Sequence, residues 1–315
     1  MIDIIIPLYN SKTIWYTLAS IAYQNDTDVS VTVVDDCSSK EYDYSKMIKF
    51  YQKYLNIQYI RLEKNSGPGV ARQKGMEITK APYIMFMDSD DSLGGVDVIT
   101  KIKNYLNQED KDFIIGRFVE ETYNQSIRFH DNDQTWLHGK IYKRKFLEDN
   151  HIHFNDTYKN EDNFFNQLCL LHAPKVGWLN EVLYIYRNNM DSLTRSNNYA
   201  YNYEGTIYYA YNISEAMREA TEDNCDPMLI SVLGARCLVP IYYYYIEYYQ
   251  KKDVSKLVKY GSRIYHMIDY SLVSENIIKE AFCGYIEFVL QTNYQYLISG
   301  VSFEDFKKML GDYHD

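Results

Sequence analysis

Tyr83-Ile84-Met85-Phe86-Met87-Asp88-Ser89-Asp90-Asp91 is the stretch that decides the fold. The apolar residues after Pro82 suit a strand buried on both faces, as in a parallel sheet. The run stops in three carboxylates, Asp88, Asp90 and Asp91, just past a strand's carboxyl end, where open α/β sheets bind ligands. Acidic groups so close repel one another unless a cation or hydrogen-bond donors sit among them. Hard carboxylate oxygens favour Mg²⁺ or Mn²⁺, whose remaining ligands come from water and phosphate. The run therefore suggests a metal–diphosphate site; the competing reading is an acidic solvated turn.

The flanking sequence repeats one pattern. Asp3–Leu8 reads as a buried strand, followed by a helix with Ile14, Leu18 and Ile21 at helical spacing that Asn10 or Ser11 can cap. Val29–Val34 is a second strand, ending in Asp35-Asp36. A helix around Tyr44–Leu55, a strand at Ile57–Leu62 and a helix opening near Val70 lead to the quoted strand. Strands alternating with helices call for a parallel, doubly wound sheet. Beyond it come a helix at Val96–Leu106, a strand at Asp112–Val119 and an irregular stretch to Trp136. A helical Gly139–Leu147, a helix after Asn160 and a strand at Val176–Arg187 follow. After the polar stretch Ser192–Asn198 the chain reads as helices only. The expected architecture is an α/β domain over 1–197, in halves 1–95 and 96–197, and an all-helical region over 198–315.

The chain has 315 residues and a net charge of −10, which argues against nucleic acid or anionic membrane as a general partner. Five widely spaced cysteines without a Cys-x-x-Cys read as reduced thiols in the cytoplasm. There is no basic signal region, and no uncharged apolar run nears the roughly 20 residues of a membrane span. Thirty-four tyrosines, many beyond Tyr199, point to a tyrosine-rich helical core. The abundance of Tyr, Asn, Ile and Lys fits an AT-rich bacterial or phage genome.

No Gly-x-Gly-x-x-Gly follows the first strand and no Walker loop occurs, which removes the main support for hydride transfer or ATP hydrolysis. Leu93 and Ile99 stand where an EF-hand needs glycine and glutamate. Gly67-Pro68-Gly69 allows close backbone approach, and the helix behind it points its positive end inward. Glu161-Asp162 follows Asn160 in a first helical turn, where the macrodipole favours an ionised carboxylate suited to a base. Neighbours on a helix diverge by about 100°, so only one can face a given hydroxyl. The competing reading is a well-capped helix with an acidic first turn.

Several motifs in order carry a resemblance. These are Pro7-Leu8-Tyr9-Asn10, Val34-Asp35-Asp36-Cys37-Ser38, Asn65-x-Gly67 with Ala71-Arg72 and Gly75, and Asp88-Ser89-Asp90-Asp91. Lys140-Ile141-Tyr142-Lys143-Arg144, Glu161-Asp162-x-x-Phe165 and Tyr184-x-Tyr186-Arg187 with Ser192-Leu193-Thr194-Arg195 continue it. Residues 1 to about 196 thus resemble the inverting family 2 glycosyltransferases of the GT-A fold, a Rossmann-like nucleotide-diphospho-sugar transferase architecture.

The resemblance implies a hexosyltransferase type of enzyme that uses a nucleotide-sugar donor, most often a UDP-sugar, with Mn²⁺ or Mg²⁺. It places Pro7, Tyr9 and Asp36 at the nucleobase, and Asn65, Gly67, Arg72, Asp88 and Ser89 at the rest of the donor. Asp90 becomes the metal ligand and Asp162 the catalytic base, with Glu161 orienting the base or holding the acceptor. Asp91 serves the acceptor or caps the next helix. His138 approaches the diphosphate or the metal or is structural, and Arg187 and Arg195 flank a loop that closes over the donor, solvated loop arginines being the competing reading. The acceptor implied is a surface glycan, polymer, lipid-linked molecule or protein. A sugar-nucleotide pyrophosphorylase and a non-catalytic nucleotide-sugar-binding protein are the alternatives. The aromatic Pro240–Tyr249 run is expected to be buried, in its own bundle or in a homo-oligomer, or to frame the acceptor site.

Overall fold

A computed structural model describes residues 1–122, 126–172, 174–187, 189, 199–291 and 300–313. The chain divides into two compact units, Met1–Cys169 with Pro174–Ser196, and Leu170–Ala173 with Asn197–Asp315.

The first unit is built on a nine-stranded sheet. Its amino-terminal half runs β1 (Ile2–Leu8), α1 (Ile14–Ala22), β2 (Val29–Asp35), α2 (Ser45–Tyr51), β3 (Asn56–Arg61), α3 (Pro68–Ile78) and β4 (Tyr83–Phe86). The order β3-β2-β1-β4 is parallel throughout. All three carboxyl ends that matter, at Leu8, Asp35 and Phe86, therefore open on the same edge. Every residue of β1 is buried. Ile4, Ile6, Val33 and Met85 fill one face with Leu18 and Ile102. On the other, Phe86 meets Phe154 and Phe165 edge to face at 5.1 and 5.5 Å. This double burial is why the strands read as continuous apolar runs.

Beyond β4 the sheet is mixed, which the strand–helix alternation did not indicate. The remaining elements are β5 (Ser92–Leu93), α4 (Val98–Gln108), β6 (Phe113–Glu121), β7 (Ile127–His130), β8 (Lys140–Lys143), α5 (Arg144–Asp149), α6 (Glu161–Leu171) and β9 (Val176–Tyr186). Strand β8 inserts antiparallel between β4 and β6, while β9 runs parallel to β6 and carries β5 outside it. β7 forms a hairpin with β6 in the stretch expected to be irregular.

The expectation of a helical Gly139–Leu147 is corrected. Lys140–Lys143 is a strand, and the helix begins only at Arg144. The cause is tertiary. Lys140, Ile141 and Tyr142 are all fully buried, with Lys140 Nζ 3.3 Å from Asp133, so paired backbone on both sides outweighs local propensity. The capping expectation also changes. Thr13 is the residue at the start of α1, without a side-chain cap bond, whereas Asn10 adopts a left-handed backbone and accepts from Ser39 N at 2.8 Å. Asn10 thus ties the end of β1 to the turn after β2.

The second unit holds α7 (Tyr199–Glu222), α8 (Pro227–Tyr248), α9 (Ser255–His266), a 3₁₀ turn at Tyr270–Leu272, α10 (Glu275–Gln291) and α11 (Phe303–Asp312). Asp226 caps α8 and a Ser302–Asp305 capping box opens α11. Ile213, Met217, Leu238, Ile241, Leu257 and Phe306 form its core. In the Tyr-rich run, Ile241, Ile246 and Tyr248 are buried. Tyr242 to Tyr245 are half-buried, their rings set against neighbours such as Phe282, Tyr285 and Phe306. Among the described residues α8 is the one helix long and apolar enough to cross a membrane, and half of that apolar window is buried in the protein.

Helix α3 lies against β1 at Gly75, where a Cβ would come within 2.3 Å of Ile5 Cγ2, itself fully buried. Ile5 is β-branched and cannot swing away. We expect Gly75→Ala to lose about 1–2 kcal/mol, the overpacking cost less the helix-propensity gain, seen as a lower urea midpoint at unchanged slope.

Candidate active site

The site is assembled where β4 ends and α6 begins. Helix α3 opens at Gly67, whose φ of 93° suits glycine, with Pro68 in the first turn. Both oxygens of the buried Asp36 accept backbone N–H groups from this turn, Ser66 N and Gly67 N, each at 2.8 Å. Burial raises the Asp36 carboxyl above its usual range even though those two donors favour the ionised form. Asp35, completely buried, accepts from Ser38 N, Tyr59 and Arg61. The two acids after β2 therefore shape the loops around the pocket edge. Tyr9 stands half exposed beside them and Asn65 is exposed.

The turn held by Asp36 aims Arg72 across the sheet. Its Nη2 meets Asp88 Oδ1 and its Nη1 meets Glu161 Oε1, both at 2.6 Å. Only 6% of Arg72 is exposed, so the guanidinium is a buried bridge between the acid turn after β4 and the first turn of α6. Burial disfavours its charge, but the two carboxylates outweigh that and keep it protonated. Burial likewise pushes Asp88 upward, and Arg72 followed by His138 reverses this, holding Asp88 well below the usual carboxylate range.

Asp162, beside Glu161, behaves differently. Burial and then the Glu161 charge raise its carboxyl to about 7, against the lowering influence of Arg72. The helix N-terminus thus does not hold it ionised in the usual acid range. A carboxyl poised near neutrality is nonetheless well matched to general-base work.

Asp91 is completely buried. Its Oδ2 accepts from the Tyr184 hydroxyl at 2.5 Å and its Oδ1 from Arg187 N at 2.9 Å. Tyr184 also accepts from Asp88 N at 3.1 Å, and Thr17 donates to the Asp91 carbonyl. Asp91 therefore knits the acid turn to β9; Asp97, not Asp91, stands at the start of α4. Burial and the charges of Asp90 and Asp88 lift its carboxyl well above the usual range. Asp90 is raised too, by burial and then Asp88, and its Oδ2 accepts from Asn189 at 2.8 Å. Ser89 contributes its carbonyl to Ser11.

His138 stacks on Tyr184 at 4.6 Å, with Nε2 3.7 Å from Asp88 and 3.9 Å from Asp91. Burial lowers its pKa and favours the neutral ring, and its Nδ1 has no hydrogen-bond partner among the described residues. Ligand atoms of Asp88, Asp91 and His138 lie within 4.8 Å of one another. Excess carboxylates beside a neutral imidazole that turns its Nε2 toward them fit a divalent cation. Both Asp91 oxygens are already bonded, so Asp88, His138 and the neighbouring Asp90 have the freer groups.

The structure thus gathers Arg72, Asp88, Asp90, Asp91, His138, Glu161 and Asp162, with Arg187 entering through its backbone. Arg195 and the Ser192–Asn198 stretch lie outside the described residues. Tyr184, Thr17 and Asn189 received no role from the sequence. Tyr184-x-Tyr186-Arg187 at the end of a strand was the signal available for the first of them.

Fold and site together define a GT-A glycosyltransferase. The Glycosyl transferase family 2 profile matches residues 3–159, and the chain belongs to that family. Poly(ribitol-phosphate) beta-N-acetylglucosaminyltransferase TarS of Staphylococcus aureus strain Mu50 is 28% identical over 215 residues, 62% of this chain and 37% of that protein. The chain therefore spans about a third of that relative's length. Glycosyltransferase GlyG of Streptococcus pneumoniae serotype 4 is 24% identical over 81% of this chain and 92% of its own. The crystal structure of S. aureus TarS 1–349 in complex with UDP superposes with a TM-score of 0.65 at 18% identity, over 95% of this chain and 94% of that one, which shows the shared fold.

Removing Arg72 leaves Glu161 buried without its partner. Arg72→Met is expected to cost about 3–5 kcal/mol in urea unfolding. Asp162 titrates near 7 in the folded protein against 3.8 as its ordinary value, so the folded state binds its proton more tightly. Its contribution to stability is present below that ordinary value and is lost as pH rises toward 7. Asp162→Asn should flatten that part of the stability–pH curve, measured by denaturation at intervals from pH 4 to 8.

Proposed function

We propose that this enzyme moves a sugar from a UDP-sugar to a hydroxyl of a bacterial or phage surface glycan or polymer, with inversion at the anomeric carbon. The observation that carries the reading is the Arg72 bridge, which joins the acid turn after β4 to the helix start bearing Asp162. A donor on the first side and an acceptor on the second are thereby brought to one point. The UDP bound by the TarS fragment supports a uridine nucleotide as the donor's carrier. The five free cysteines support a reducing, cytoplasmic setting.

In the proposed reaction Asp162 accepts the proton of the acceptor hydroxyl as its oxygen forms a bond to C1 of the sugar. The bond from C1 to the diphosphate oxygen breaks, and the electron pair leaves with UDP. Glu161 is fixed by Arg72 and so orients the helix turn carrying the base. Asp90, with Asp88 and His138, would hold a Mn²⁺ or Mg²⁺ ion, which as a Lewis acid offsets the charge developing on the diphosphate. Asp36 keeps the Ser66–Gly67 turn in place beside the nucleotide, with Pro7 and Tyr9 at the base.

The test is UDP release from a panel of UDP-sugars with Mn²⁺. Asp162→Asn should keep UDP binding but lose transfer by roughly 10²–10⁴-fold, the usual contribution of a positioned base. Normal turnover by that variant would refute its role. In the wild type, kcat/KM should rise with pH through a limb near 7 as Asp162 loses its proton. Asp90→Ala, or removal of divalent ions by chelation, should abolish metal-dependent UDP binding measured by calorimetry.

A further inference from the structure

The face formed by α1 and α2 carries large aromatic rings in the open. Trp15 is 45% exposed, Phe50 51% and Tyr54 58%. They form a continuous track. The Arg187 guanidinium lies 4.0 Å over the Tyr16 ring, Tyr16 stacks on Trp15, and the Tyr51 hydroxyl donates to the Trp15 carbonyl at 3.0 Å. Phe50 packs edge to face on Tyr51 at 5.2 Å and against Tyr54 at 5.5 Å. One end of this track is thus Arg187, whose backbone N–H binds Asp91 in the acid turn.

The track is also basic in an acidic protein. The chain has 43 Asp and Glu against 33 Lys and Arg, yet none of the acids falls between Asp3 and Asp26 or between Asp43 and Glu63. Lys46, Lys49 and Lys53 are exposed at helical spacing along the same side as Phe50, with Lys53 5.8 Å from its ring. Ile48 of α2 is buried, as are Tyr44 just before the helix and Leu55 beyond it, and this anchoring holds these groups outward. Exposed aromatic faces suit the C–H faces of sugars and polyols, and the ammonium groups suit charges repeated along a strand.

We propose that the α1–α2 face is the binding track for an anionic polymer acceptor, a glycan or polyol strand with phosphate or carboxylate groups. Chain units remote from the reacting hydroxyl lie over Phe50 and Trp15 and lead past Arg187 toward the acid turn. The proposal rests on the transferase reading above and adds where the acceptor runs and what charge it bears.

Electrophoresis of the purified protein through gels containing dextran sulfate, dextran or oligothymidylate tests it. Dextran sulfate should retard the wild type, with an effect that falls as salt is raised, and dextran should retard it far less. The triple variant Lys49→Glu/Phe50→Ala/Lys53→Glu, altered only at exposed positions away from the donor, should bind dextran sulfate roughly tenfold more weakly. UDP binding, followed in parallel by calorimetry, should be unchanged in it. Equal retardation of variant and wild type, or stronger retardation by oligothymidylate than by dextran sulfate, would overturn the track. Loss of UDP binding by the wild type would instead strike the donor reading.

Discussion

The Arg72 guanidinium, gripped by Asp88 on one side and Glu161 on the other, is the constraint on which the site depends. A buried cation costs several kcal/mol in lost hydration, so it persists only with partners of good geometry. Both contacts at 2.6 Å meet that requirement. Chain segments 73 residues apart in sequence, the turn at Asp88 and the helix at Glu161, are held together by one side chain. The remaining acids are not neutralised by it. Asp90, Asp91 and Asp162 are all raised by burial and by their neighbours' charge. The site is therefore electrostatically incomplete on its own and predisposed to take up positive charge.

That imbalance also separates the roles of acids that look alike in sequence. Asp88 is kept ionised by Arg72, while Asp162, next to the ionic pair but not in it, sits near neutrality. Asp91 spends both oxygens on Tyr184 and Arg187 and acts as a structural tie. Asp90 and Asp91 thus divide between the pocket and loop construction, whereas Asp35 and Asp36 both hold loops.

Much of this was legible in the sequence. The apolar runs ending at Leu8, Asp35 and Met87 revealed the parallel half of the sheet because strands buried on both faces leave no polar alternation. Glu161-Asp162 was legible as a helix start with acids in the first turn. The mixed half was not. Lys140 to Lys143 look like surface helix by composition, and only the pairing with β4 and β6 makes them a strand. Asp3 and Arg144 illustrate the same limit. They form a buried ion pair 141 residues apart at 3.1 Å, with Arg144 also bonded to the Met76 and Ala81 carbonyls. Tyr184 was inconspicuous among so many tyrosines, since its role comes from the turn it faces. Asp36 was expected at the nucleobase from the family resemblance, but its bonds to the backbone of the Ser66–Gly67 turn, 30 residues on, were not legible.

The most direct measurement of the account is a double-mutant cycle on Arg72→Met and Glu161→Gln, read as unfolding free energy in urea. If the guanidinium joins the two halves of the site as described, the two changes will be non-additive, with a coupling of about 1 kcal/mol or more. Additivity within about 0.5 kcal/mol would mean that the bridge carries no energy, and would contradict the account.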